Sequence, residues 1–149
     1  MNNNLIITIG REYGTGGREI GQKLALRLGV PFYDRELITR AAKKTGFDEK
    51  LFEQLDKRAT NSFLYSLTMF GSVGLNGMSL TDQLYLAQSN IIREMAEDSS
   101  CVIVGRCADH VLRDFPNKFD FFIHGSIEDR VKRVQTCGDY VIEGKTPEA

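Results

Sequence analysis

Short apolar runs alternate with longer amphipathic stretches along this chain, which predicts strands and helices taking turns. Residues 5–9 form a β-branched apolar run, the pattern of a parallel strand covered on both faces. Ile20, Leu24 and Leu28 then recur at helical spacing, and Gly29 is placed to stop the helix. Between strand and helix lie Gly14, Gly16 and Gly17, where the chain must turn sharply. Residues 30–34 predict a short second strand with Pro31 at its first position. Asp34 sits where it can cap a helix over residues 35–44. Thr45-Gly46 breaks that helix, and Asp48 can open another with Leu51, Phe52 and Leu55 on one face.

Residues 59–79 carry few charges, several aromatics and glycines at 71, 74 and 77. Phe63, Leu64, Tyr65, Leu67, Met69 and Phe70 are too apolar for a solvated linker. They cover a substrate cleft, pack in a subunit contact of a homo-oligomer, or form a short helix closing the core. Ser79 or Thr81 starts the next helix, whose stripe Leu80, Leu84, Ala87, Ile91 and Met95 reads as core; Ser99-Ser100 ends it. Residues 101–105 are an apolar strand ending in glycine and followed at once by Arg106. A short helix over 108–113, a buried strand over 119–124 and a helix capped by Ser126 come next, and 135–149 show no clear period. The alternation implies an α/β fold with a parallel sheet and right-handed crossovers. No repeat or linker divides the chain.

The 149 residues suffice for one domain with a proper core. A formal net charge of −1 gives no overall basic field, so neither nucleic acid nor an anionic membrane is expected as a partner. No apolar run has the length a membrane span needs, and the start Met-Asn-Asn-Asn has no basic region, so no secretory signal is expected. Cys101, Cys107 and Cys137 form no metal-spaced pair and read as reduced thiols of a cytoplasmic protein.

Chemistry concentrates at the glycine turn. A glycine-rich turn lets backbone N–H groups surround an anion, and the helix N-terminus behind it adds partial positive charge. The full phosphate-loop motif is G-x-x-x-x-G-K-[ST]. With Gly16 as its second glycine, the first falls on Arg11, the lysine on Gly17 and the hydroxyl on Arg18. Spacing alone thus leaves two readings, an anion-binding turn or a merely structural one. A parallel sheet brings the carboxyl ends of its strands to one edge, so Arg11, Asp34, Arg106 and Asp109 should gather beside the turn. Arginines there suit phosphate oxygens, which their planar fork can grip in pairs. Arg106 is the stronger candidate; Arg130 and Arg133 either join it or are solvated on their helix, and Asp34 is a ligand contact or only a cap. His110 and His124 read as structural or surface residues.

Three blocks, Ile-Thr-Ile-Gly-Arg-Glu-Tyr-Gly-Thr-Gly-Gly-Arg-Glu-Ile-Gly, Pro-Phe-Tyr-Asp-Arg-Glu-Leu-Ile and Cys-Val-Ile-Val-Gly-Arg-Cys-Ala-Asp, resemble the cytidylate kinase-like family of P-loop proteins from about residue 5 to 135. The resemblance implies a three-layer P-loop NTPase fold with a parallel sheet flanked by helices. It implies ATP with Mg2+ as donor and a nucleoside monophosphate such as CMP or dCMP as acceptor. Gly14, Thr15, Gly16, Gly17, Arg18 and Glu19 would form the phosphate loop, with Arg11 beside it. Asp34 and Arg40 would meet the acceptor, as would Arg106, which matches the arginine of a Gly-Arg-Asp block. Cys107 stands in place of that block's aspartate, and whether Asp109 replaces it stays open. Arg130 or Arg133 would lie near the donor phosphates. The loop lysine is absent and its metal-binding hydroxyl is not in place; Arg18 could supply the charge and Thr15 a hydroxyl, while the metal ligands stay unassigned. The family's arginine-rich lid and last core strand fall beyond Ala149. A single kinase-like domain over 1–149 is therefore expected, a fragment or a naturally shortened member. The functional readings are a nucleotide kinase, a catalytically weak or inactive nucleotide-binding module, and a kinase of another small metabolite.

Overall fold

A computed structural model of the chain describes residues 3–34 and 80–137. Strands β1 (Ile6–Arg11), β2 (Phe32–Tyr33), β3 (Cys101–Val104) and β4 (Lys118–Ile123) form a parallel sheet in the order β2-β3-β1-β4. Helices α1 (Gly17–Leu28), α2 (Leu80–Asp98), α3 (Ala108–Val111) and α4 (Ile127–Thr136) complete the described elements. This is the α/β architecture with a helix-flanked parallel sheet that the alternating pattern predicts.

The central strands are apolar on both sides because both sides are covered. Ile6, Cys101 and Ile103 pack with Ile92 and Ala96 of α2 and Ala108 and Val111 of α3. The alternate residues Ile7, Ile9, Val102 and Val104 pack with Ala25 and Leu24 of α1. Ile6 stands level with Cys101 and Lys118, so β1, β3 and β4 end at a common carboxyl edge.

Two expectations are corrected. Of the stripe Ile20, Leu24 and Leu28, Leu24 packs against the core, while Ile20 and Leu28 are over 40% exposed; the fully buried positions of α1 are Gly17, Gly21 and Ala25. The helix lies so close to the sheet that a Cβ on Gly21 would stand 2.7 Å from Val104 Cγ2 and 3.0 Å from Phe32 Cε2. Small residues make that approach possible, and a pattern of large apolar residues does not register them. Strand β4 is likewise not buried, with Phe119, Phe121 and Phe122 each at least half exposed. It is flanked by β1 alone at the edge of the described sheet. In α2, Ile91 of the expected stripe is buried and Ala87 and Met95 are half-buried, and Gln88, Ser89, Ile92 and Ala96 are buried beside them.

Gly29 closes α1 in the left-handed conformation, and Ser126 Oγ caps α4 by accepting from Asp129 N, both as the sequence predicts. The helix expected over 35–44, the segment opened by Asp48, the apolar stretch 59–79, Arg40 and residues 138–149 lie outside the described residues.

Candidate functional site

The site begins where β1 runs out. Glu12 N donates to Ile123 O at 3.0 Å, extending the ladder with β4 one residue past the strand. The chain then turns through Gly14 (φ +83°) and Gly16 (φ +76°), a backbone that side-chain-bearing residues rarely adopt. Thr15 tightens the turn by donating to Glu12 O from both its N (3.4 Å) and its Oγ1 (2.8 Å). Gly16 is the N-cap of α1 and supplies no side-chain acceptor, so the first amides of the helix have no side-chain cap. The turn lies at the carboxyl edge of the sheet, as the parallel topology requires.

Helix α4 lies against this turn. A Cβ on Gly14 would stand 2.8 Å from Arg130 O, and one on Gly16 would stand 2.7 Å from the Arg133 Cζ. Arg130 Nε donates to Tyr13 O at 2.7 Å, and its Nη1 pairs with Glu12 Oε2 at 3.3 Å. The same Glu12 oxygen accepts from Gly125 N at 3.2 Å. Arg133 pairs with Glu19, which also accepts from Lys23 Nζ at 2.6 Å. The Lys23 hydrogen bond, then that from Arg133, holds the Glu19 carboxyl below its ordinary value of 4.5.

Arg11 and Gly17 meet across the base of the turn: a Cβ on Gly17 would stand 2.7 Å from Arg11 Cβ and 2.9 Å from its Cγ. The Arg11 guanidinium reaches Gly105, beyond the end of β3, in the space a Cβ there would need. Gly105 (φ +78°), Arg106 (φ +60°) and Cys107 (φ +52°) are left-handed in succession. For arginine and cysteine that conformation costs about 1–2 kcal/mol each, and such strain gathers at functional sites. It places the half-buried Arg106 at the same edge as Arg11.

Arg18 turns toward β2, where its Nε donates at 2.7 Å to Oδ2 of the buried Asp34. Asp109 is exposed on α3, and its carbonyl accepts from Lys118 Nζ at 2.9 Å, which draws its backbone toward the start of β4. Lys118 also pairs with Asp120 Oδ2 at 2.5 Å, and Thr8 Oγ1 donates to Asp120 Oδ1 at 2.5 Å. Burial raises the Asp120 pKa, but Lys118 and Thr8 more than offset that, and the net direction is down. His110 and His124 are exposed. Among the described residues no three His, Cys, Asp or Glu side chains come together as a metal site, and Cys101, Cys107 and Cys137 are free thiols.

The structure thus brings Arg11, Gly14, Thr15, Gly16, Gly17, Glu19, Arg130 and Arg133 around one turn, with Arg106 at the same edge. Arg18 and Asp34 form a pair beside it, and Asp109 stands apart. Sequence reasoning missed Glu12 as the partner of Arg130, although a glutamate next to the glycines was a visible signal.

The family model described as the cytidylate kinase-like family matches residues 6–140. No curated protein matches the chain. A solved structure of an uncharacterised protein from Eubacterium ventriosum ATCC 27560 is similar at 31% identity and a TM-score of 0.61. That match covers 89% of this chain and 60% of the other, so the chain spans about three fifths of that protein's length. No helix among the described residues is long and apolar enough to cross a membrane.

Proposed function

Because this chain belongs to the cytidylate kinase-like family, we propose that it binds ATP at the turn between β1 and α1 and transfers the γ-phosphoryl group to a nucleoside monophosphate such as CMP or dCMP. The observation that carries this reading is the turn itself: left-handed glycines leading into a helix without a side-chain cap, with Arg11, Arg130 and Arg133 against it. Phosphoryl transfer asks a protein mainly for positioning and for cations around the phosphates. Main-chain amides of residues 14–19 orient the donor phosphates. Arg130 and Arg133, now paired with Glu12 and Glu19, exchange carboxylate oxygens for phosphate oxygens when the donor enters. Arg106 faces the acceptor phosphate. Magnesium offsets phosphate charge and arrives with the nucleotide, which suits a site whose described carboxylates are engaged with arginines.

A coupled ADP-release assay with CMP, dCMP and UMP tests this. Turnover is expected with a pyrimidine monophosphate, and Arg106→Ala should raise the acceptor KM with little loss of fold stability. ATP binding without turnover on any acceptor would instead favour a nucleotide-binding module. The absence of a lysine at position 17 supports that second reading.

A further inference from the structure

Two departures from the phosphate-loop motif meet in the fold. Counting from Gly16, Arg11 stands where the phosphate-loop motif has its first glycine, and Gly17 stands where it has its lysine. In the structure these two positions touch. Arg11 Cβ, Cγ and Cδ lie 2.7, 2.9 and 3.6 Å from where a Cβ on Gly17 would be. A side chain at 17 would collide with Arg11, and Arg11 has room because 17 is glycine. Glycine and cation have therefore changed places across the base of the turn.

We propose that Arg11 is the phosphate-binding cation that replaces the missing lysine, holding the terminal phosphates of a nucleoside triphosphate from the strand side of the loop. The inference rests on the nucleotide reading above and assigns the charge within it. The side chain follows a track of two glycines, passing Gly17 with its stem and Gly105 with its guanidinium, and ends between the carboxyl ends of β1 and β3. Arg11 is exposed, as a residue that meets a ligand must be. The sequence-based candidate, Arg18, is directed instead to the buried Asp34 at 2.7 Å, where it ties α1 to the end of β2. A guanidinium is charged at every working pH and can hold two phosphate oxygens at once, so the exchange keeps a phosphate-binding cation at the base of the turn.

Titration calorimetry of the whole chain with Mg-ATP, and separately with Mg-tripolyphosphate, tests this. Arg11→Gln should weaken both probes by roughly tenfold or more, the scale of a lost charge-assisted hydrogen bond. Its circular dichroism and Tm should stay near wild type, and Arg11→Lys should keep most of the affinity. The exchange variant Arg11→Gly with Gly17→Lys should bind more tightly than Arg11→Gly alone. Arg11→Gln binding like wild type would overturn the role of Arg11 while leaving the nucleotide site standing. Wild-type protein that binds neither probe would remove the site and the role together.

Discussion

A methyl group added at Gly16 should cost both stability and ligand binding, and Gly29 supplies the control. Both glycines are left-handed, at φ +76° and φ +66°. Alanine in that region costs about 1–2 kcal/mol at either position. The surroundings differ. Nothing lies within 4 Å of a Cβ at Gly29, whereas at Gly16 it would stand 2.7–2.9 Å from the Arg133 guanidinium. That guanidinium is the far end of a flexible side chain and can swing away, at the expense of its pair with Glu19. An exposed ion pair of this kind contributes little to stability. Gly29→Ala and Gly16→Ala should therefore each lose about 1–2 kcal/mol, roughly 3–6 °C in Tm, with Gly16→Ala the less stable of the two. Urea unfolding gives the free energies. Thermal melts with and without Mg-ATP give the ligand effect, which for wild type should approach about 2.7 kcal/mol at a hundredfold excess over Kd. Gly29→Ala should keep that stabilisation in full and Gly16→Ala should lose it. Equal losses in both variants, or full retention in Gly16→Ala, would refute the placement of the phosphates at this turn.

Gly21→Ala should destabilise by about 1–2 kcal/mol in urea, because crowding against Val104 and Phe32 exceeds the ~1 kcal/mol gain in helix propensity; a stabilised variant would mean that α1 stands off the sheet. Glu19 has a folded pKa below its ordinary 4.5, so its contribution is present above that value and is lost as pH falls through the folded pKa. Glu19→Gln should therefore have a lower urea midpoint than wild type at pH 7 and the same midpoint in strong acid; a gap that persists there would assign the effect to packing. Burial pushes the Cys101 thiol up to about 11, so at neutral pH iodoacetamide should label the exposed Cys107 first and reach Cys101 only on unfolding. Equal labelling rates in the native protein would contradict the core position of β3.

The first third of the site was legible because its signals are local. A β-branched run, clustered glycines and a glycine stop specify β1, the turn and α1 within residues 5–29. The face of α1 was not legible, since Gly17, Gly21 and Ala25 are buried by being small rather than apolar. Phe119, Phe121 and Phe122 announced a strand, but apolar residues do not say how many neighbours a strand has, and β4 has β1 alone within the described sheet. The closure of the turn by α4 joins Glu19 to Arg133 and Tyr13 to Arg130 across more than a hundred residues, which no local pattern encodes. The left-handed Arg106 and Cys107 carried no glycine or asparagine to mark them. The exchange of Arg11 and Gly17 was visible in the motif count as two separate departures, and only the contact between them makes it one event.

Main-chain amides of residues 14–19, with arginines in place of a lysine, are proposed here to hold a polyphosphate. A crystal structure of the protein with ATP, Mg2+ and CMP tests it most directly. The triphosphate should be seated in the turn between β1 and α1, with the Arg11 guanidinium on its terminal phosphates and Arg133 released from Glu19. A triphosphate bound elsewhere on the chain, with the Arg133–Glu19 pair intact over the turn, would contradict it.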